Sequence, residues 1–508
     1  MLLCAASALA LAIPAAVAQT LDNNSLAPPL LDDLRTSRAT NDPLVVNNST
    51  LRSQTGNTTA QAPNSQTQQQ VLGADPQTTG TVGLRGELRP EAPVNSANPI
   101  GALGPPDSSL PSGPAAQLAN AEGPTFEPEP IEDPYAPQPL RLGTFNVNGE
   151  ATLTYGRSSN LSNSAGGTPG RFSNFSFTGG AVSDWSRHQL RFTSAADIDL
   201  NRPTLRNRPT DIDLDAALRL DLTEGSSVTL TAGYGLFTED ASSPDALIIG
   251  NDNPFLAEYD LGIQYDRNVG LIGLQLRGGL TAARYGDIKI AGQPAVAQTQ
   301  RDRNGATLGA RLSYDGGGRI TPFVDVEYEL GRRVTRLDAN GFDRRFNGLR
   351  ASMGANVELS GKLSGSLQMG YGRRDYADVR LQDVGGFTVD GSLDWRANDR
   401  VTVGLNLNTD FAGLATAGVS GSIARGAGMS VDWQATDALA FGVDANLSQT
   451  RYSNADRDTR YSLSASADYW LTPHAGLTGE VSRTRQVSNR IGAAYTATSV
   501  EVGLKVRH

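Results

Sequence analysis

The chain offers three histidines for imidazole chemistry: His188, His474 and His508. The first two fall in short polar turns, and the third is the last residue. A Ser-His nucleophile needs its base within hydrogen-bond reach, and none of the three lies inside a strand-like run beside a serine. A Ser-Lys or carboxylate-only site stays open on sequence alone, but the expectation is a protein that is not an enzyme. Asp211-Ile212-Asp213-Leu214-Asp215 has the acidic spacing of a calcium loop. Such a loop requires Gly at its sixth position and Glu at its twelfth, where this chain has Ala216 and Leu222. Apolar residues between the acids instead fit a strand whose carboxylates share one face, and Asp197 and Asp199 extend that acidic wall. No Walker loop, Cys-x-x-Cys or helical His pair appears, so no cofactor or transition metal is expected. Asn47, Asn48 and Asn57 head glycosylation-like triplets and read as polar filler.

The elements that must hold these residues follow from the bulk pattern. The 508 residues carry a formal net charge of −10 and 19% charged side chains. A mean hydropathy of −0.32 argues against a helical membrane protein. Met1 to Ala18 is the one long apolar run, and Ala16-Val17-Ala18 before Gln19 reads as a secretory signal cleavage site, although a charged n-region is missing. Cys4, the single cysteine, would leave with that signal. Leu2-Leu3-Cys4 precedes the apolar core, which speaks against a lipoprotein box. Residues 19–140 are rich in Gln, Asn, Thr, Ser, Pro and Ala, as in Gln66-Thr67-Gln68-Gln69-Gln70. They cannot bury enough apolar surface to offset ordering entropy, and the expectation is a disordered periplasmic segment spanning about 60 Å as a random coil.

Residues 141–508 alternate with period two. After Pro209, Ile212, Leu214, Ala216, Leu218 and Leu220 alternate with Asp211, Asp213, Asp215 and Arg219. Val401, Val403, Leu405 and Leu407 alternate with Thr402, Gly404, Asn406 and Asn408, and similar runs begin at Leu439 and Tyr461. Such alternation means a sheet with one apolar and one polar face. Short turns near 187, 224, 267, 316, 361, 398, 436 and 473 alternate with longer links near 158–170, 201–209, 239–254, 286–304, 332–346, 375–384, 410–418, 452–459 and 485–491. That layout predicts an all-β fold: a transmembrane antiparallel up-and-down β-barrel of about 18 strands, with 16 the alternative. A soluble sandwich also alternates, but these runs reach the ~9–11 residues of a tilted spanning strand. Their polar parity is also crowded with Asn, Ser, Asp, Arg and Gly.

Four tryptophans precede short polar turns: Trp185, Trp395, Trp433 and Trp470. Tryptophan favours the boundary between hydrocarbon and water, so these predict one aromatic girdle, although Trp470 falls one residue off the parity of its strand. Tyr285, Tyr376 and Tyr452, each close to an arginine at the other strand ends, predict the second girdle. The last residues, Glu501 to His508, look like the closing signal read by the outer-membrane assembly machinery, with His508 replacing the usual Phe.

Several stretches carry a family resemblance. Asp133-Pro134-Tyr135-Ala136-Pro137 with Leu142-Gly143-Thr144-Phe145, the turn Asp184-Trp185-Ser186-Arg187-His188, Asp338-Ala339-Asn340-Gly341-Phe342-Asp343-Arg344, and Gly370-Tyr371-Gly372-Arg373-Arg374-Asp375-Tyr376 resemble a family of outer-membrane β-barrel porins of Gram-negative bacteria. The resemblance implies an outer-membrane barrel and diffusion or export, and brings no catalytic residues with it.

The expected function is a passive pore for small hydrophilic solutes in the cell outer membrane. Carboxylates on the lumenal parity, Asp197, Asp199, Asp211, Asp213, Asp215, Asp325, Glu327, Asp390, Asp394 and Asp444, predict a mild cation preference. The link around 239–254, with Glu239, Asp240, Asp245 and Asp252, is a candidate constriction loop, and an alternative is that it covers the rim. The second reading is a component of polysaccharide export or envelope organisation, motivated by the long N-terminal segment. It would favour lumenal aromatics, of which Phe323 is one. TonB-dependent uptake ranks lower, since it needs a folded plug and more strands. Expected partners are outer-membrane lipids, the barrel assembly machinery and, as an open option, further copies of the chain; no nucleic-acid partner is expected.

Overall fold

The structure is a computed structural model that describes residues 137, 139–200, 210–238, 254–288, 294–359, 361–414 and 418–508. The signal-like run, the Pro- and Gln-rich segment and the candidate constriction residues Glu239, Asp240, Asp245 and Asp252 lie outside the described residues. A short strand β1 (Leu140–Leu142) comes first. Then follow β2 (Phe145–Ser158), β3 (Gly170–Ser183), β4 (His188–Asp199), β5 (Thr210–Thr223), β6 (Ser226–Thr238) and β7 (Phe255–Val269). Next come β8 (Ile272–Tyr285), β9 (Arg303–Tyr314), β10 (Ile320–Arg333), β11 (Phe346–Leu359), β12 (Leu363–Tyr376) and β13 (Val384–Asn398). The last are β14 (Val401–Gly413), β15 (Gly421–Thr436), β16 (Leu439–Tyr452), β17 (Arg457–Thr472), β18 (Ala475–Ser488) and β19 (Tyr495–Arg507).

Each of β2 to β19 pairs antiparallel with its sequence neighbour, and β19 closes on β2 from Ser499↔Ser158 to Arg507↔Glu150. The result is a closed barrel of 18 strands. Closure leaves no open edge, so each long strand has a partner on both sides. Strands about 4.8 Å apart and tilted about 40° make a ring about 36 Å across between backbones. β1 adds a hairpin at the rim. Gly143, at φ 64, turns the chain so that Leu140–Leu142 pairs with Val147–Phe145, just below the point where His508 exchanges two 2.9 Å backbone bonds with Gly149. The alternation alone reads a single strand there; the left-handed glycine divides it.

The outward face is apolar. Leu405 is 47% exposed, and Leu261, Leu308, Met353, Leu463 and Val502 are likewise open on the outside of the wall. The inward parity is polar, with Thr152, Thr229, Gln264, Asp325, Asp410 and Glu480 among its buried members. Among the described residues no helix is long and apolar enough to cross a membrane.

Three of the four tryptophans face outward and one faces inward. Trp185, Trp395 and Trp433 are exposed at the short-turn end, and Trp433 stacks on Phe441 at 5.4 Å. Trp470 is 2% exposed and faces inward, beneath the Arg507 guanidinium at 3.5 Å. Trp470 falls on the inward parity of β17, one residue after the outward Tyr469. Register shifts between Arg396 and Asn398, Gln434 and Thr436, and Trp470 and Thr472 insert one extra residue before each of these turns. Aligned on that bulge, the outward residue matching Trp395 and Trp433 is Tyr469, and Trp470 matches the inward Arg396 and Gln434.

Tyr285, Tyr376 and Tyr452 also turn inward and do not form the second girdle. Arg301 covers Tyr285 at 4.0 Å, Phe346 packs against Tyr376 at 5.8 Å, and the Tyr452 hydroxyl donates to Asp458 at 2.7 Å. The outward aromatics lie a few residues deeper: Tyr155, Tyr259, Tyr328, Tyr371, Phe387 and Tyr461. Phe387 to Trp395 on β13 and Tyr461 to Tyr469 on β17 are each eight residues apart. Eight residues at about 3.3 Å, tilted 35–45°, rise about 20 Å along the barrel axis, close to the ~25 Å apolar band of outer-membrane barrels.

Candidate functional site

The candidate site is the inner wall. Its acids are gathered by register rather than by a loop. On β4 and β5, Asp197 pairs directly with Asp211, and Ala195 and Thr193 pair with Asp213 and Asp215. Asp199 stands one pleat further along β4. The neighbouring inward positions of β6 opposite Asp213 and Asp215 are Gly235 and Gly233, which bring no cation. A Cβ on Gly233 would lie 2.9 Å from Asp215 Oδ1 and 3.4 Å from the Asp260 Cβ. Small residues thus let the carboxylates of β5 and β7 approach across β6. The spacing that mimics a calcium loop is therefore a strand face. Asp394 on β13 faces Gly404, and Asp444 on β16 accepts from Ser464 at 3.4 Å.

Strands β8 to β12 form a different sector. Asp325 is clasped by Arg277 at 2.8 and 2.9 Å and by Arg311 at 2.9 Å. Arg311 also donates to Gln368 at 3.2 Å and covers Phe323 at 4.1 Å. The net continues along β8 and β7, where Arg277 donates to Gln275, Gln275 to Asp266, and Gln264 to Asp266. Arg350 pairs in register with Glu327, reaches Asp390 at 3.4 Å and donates to the Thr409 carbonyl at 3.0 Å. Arg374 holds Glu329 bidentately, both bonds at 2.9 Å, and covers Phe346 at 4.5 Å. Removing one partner of such a buried set leaves an uncompensated charge, at a cost of about 3–5 kcal/mol. The acids named from sequence in this sector therefore sit among arginines that an acid-only reading overlooks. Arg277, Arg311 and Arg350 lie on the polar parity of their strands, so the signal was present; which acid each one meets was not.

The wall has one irregular seam. Main-chain pairing of β13 with β14 runs from Asn398↔Val401 only to Gly391↔Leu407. Beyond it, side chains supply the bonds: the Thr409 hydroxyl donates to Val389 O and accepts from Val389 N, both at 3.0 Å, and Thr409 N donates to Asp390 Oδ1 at 2.8 Å. Arg425 on β15 donates to Phe387 O at 2.9 Å. Past the seam, the Phe411 ring lies 5.5 Å from the Arg350 guanidinium and 5.9 Å from that of Arg374. With Phe323, Phe346 and Tyr376 it gives the inner wall more aromatic surface than the alternation predicts.

At the long-link end, the stretch from Asp338 to Arg344 is a knot. Asp338 Oδ1 accepts from the backbone N–H of Asn340 and Phe342, both at 2.9 Å, while its other oxygen binds Arg344 at 2.5 Å. Arg344 then donates to the carbonyls of Leu414 and Val419, and Asp378 accepts from Asp343 N at 3.1 Å. Three links are thereby tied together. The Arg345 guanidinium holds the Asp343 carboxyl down at about 2, and Arg380 holds Asp378 well below the carboxylate range.

These features, a closed 18-strand ring with an apolar outer band and a polar inner wall, are those of an outer-membrane barrel. The profile of the family described as "Putative beta-barrel porin 2" matches residues 133–508. The chain belongs to that family. No curated protein matches this porin-family chain. Among solved structures it is similar to the FrpB iron transporter from Neisseria meningitidis, at 8% identity over 67% of this chain and a TM-score of 0.37. It spans 62% of FrpB's length. The siderophore receptor PirA from Pseudomonas aeruginosa is similar at 10% identity, over 73% of this chain and 82% of that one, with a TM-score of 0.36. The copper transporter OprC is similar at 14% identity, over 70% of this chain and 63% of that one, with a TM-score of 0.37.

Proposed function

We propose that this porin-family barrel is a passive channel in the outer membrane for small hydrophilic solutes, with a mild preference for cations. In this reading the short turns face the periplasm and the long links face outward. The observation that carries it is the acidic inner wall of β4 and β5, where Asp197 pairs in register with Asp211, and Asp213 and Asp215 follow on the same face. Barrels of 16–18 strands leave room for an aqueous lumen, and rings of carboxylates favour cations. The arginines of β8 to β12 stand in ion pairs, so they offset this field only in part.

Purified protein in a planar bilayer tests the reading. Stepwise conductance is expected, with a reversal potential on the cation side. The double change Asp213→Asn with Asp215→Asn should move that potential toward zero. Absence of conductance, or firm anion selectivity in the parent protein, would sink the proposal.

One observation favours a second reading, saccharide passage. Phe346 and Phe411 stand on the inner wall beside Arg374 and Arg350, and flat apolar rings flanked by strong donors suit sugar rings.

A further inference from the structure

The outer surface carries a cluster of arginines that no carboxylate among the described residues neutralises. Arg157 on β2, Arg171 on β3, and Arg483 and Arg485 on β18 are exposed on the same parity as Leu153, Tyr155, Val481 and Val487. They therefore point away from the lumen. Arg157 and Arg171 are directly opposite each other, and Arg485 stands opposite Tyr461 of the outward aromatic level. β19 runs between the two groups, with Thr498 beside Arg483 and Val500 beside Arg157. At about 4.8 Å per strand and about 3.3 Å per residue, Arg483 and Arg157 stand about 12 Å apart across β19, within the joint reach of two such side chains.

Like charges directly opposite in a sheet repel. Yet among the described residues none of these four guanidiniums has a carboxylate partner. The adjoining links, 159–169 and 489–494, contain no Asp or Glu. Some other outward arginines at this end are provided for. Arg373 on β12 lies between Asp375 and Asp383, the latter at 2.8 Å, and Arg284 on β8 donates to two backbone carbonyls and to Asn304.

We infer that Arg157, Arg171, Arg483 and Arg485 form a docking surface for an anionic lipid bearing more than one phosphate, seated in the leaflet at the long-link end. Guanidinium forks match phosphate oxygens bidentately. The cluster lies at the edge of the apolar band, so the ligand that supplies the anion also has acyl chains to lay against Leu153, Val481 and Val500. Four cations within three strand spacings of one another call for more than one phosphate charge. The inference rests on the membrane placement proposed above, but not on conduction.

The test uses the full-length protein in neutral detergent, titrated with diphosphoryl lipid A, monophosphoryl lipid A or phosphatidylcholine, and read by native mass spectrometry. The diphosphoryl lipid is expected to bind about tenfold more tightly than the monophosphoryl form, with the preference weakening as salt rises. Changing all four arginines to Gln should abolish that preference while leaving bilayer conductance as in the parent. Should that variant not fold, Arg157→Gln with Arg171→Gln should reduce the preference severalfold. Equal binding of the two lipid A forms, or an unchanged preference in the variants, overturns the inference. So does displacement of the lipid by an equal concentration of inorganic pyrophosphate, which would make free phosphate the ligand. A barrel that binds lipid as expected yet conducts nothing would overturn the channel reading alone.

Discussion

Tyr469 and Trp470 are neighbours that face opposite media. Tyr469 is exposed on the outer wall, whereas Trp470 lies under Arg507 on the inner one. Tryptophan's preference for an interface is a tendency; the pleat decides which side the ring takes. The same single-residue logic gives a direct check of the wall. Leu405 points outward in mid-strand, and Asn406 next to it shares the inward parity of Gly428 and Ser392. Leu405→Arg should cost about 2–4 kcal/mol in membrane stability, seen as a lower denaturant midpoint in liposomes. Asn406→Arg should leave the midpoint within about 1 kcal/mol of the parent, as lumenal positions on such barrels tolerate charge. Equal losses at the two positions would overturn the assignment of faces.

Hairpins are the next scale. Alternation and turn residues made the strands legible, because side-chain direction in a strand repeats every two residues whatever lies beside it. The bulges before the turns at 399, 437 and 473 escaped that reading, since an inserted residue leaves no mark in composition. The β13–β14 seam escaped it as well: its sequence alternates, but its upper half is bonded by side chains. Thr409→Val keeps the shape and removes the hydroxyl that serves both Val389 N and Val389 O. Each backbone group left without a partner costs about 1–3 kcal/mol, so hydrogen exchange at Val389 should quicken markedly, while Thr409→Ser should behave as the parent. Indistinguishable exchange in the Val and Ser variants would show that the seam is held in another way.

At the scale of the whole molecule, the ring closes through its first and last long strands. β19 bonds to β2, and β1 occupies the rim below His508. Deleting residues 19–136 should therefore leave heat-modifiable folding and conductance unchanged if the protein is a plain pore. Lost conductance or an altered envelope, with folding intact, would favour a role in export.

The sequence by itself determined the class of fold, the rhythm of short turns and long links, a strand number of 16 to 18 and the side of the wall on which most residues stand. These follow from period-two alternation and local turn chemistry, which need no distant partner. The tertiary structure alone decided that Asp325 lies between Arg277 and Arg311, that Arg350 reaches Asp390, and that Arg157 meets Arg171 with no carboxylate among the described residues beside either. Those meetings depend on the stagger of each strand against the next and on closure of the ring. Both are properties of the assembled sheet, and no stretch of chain contains them.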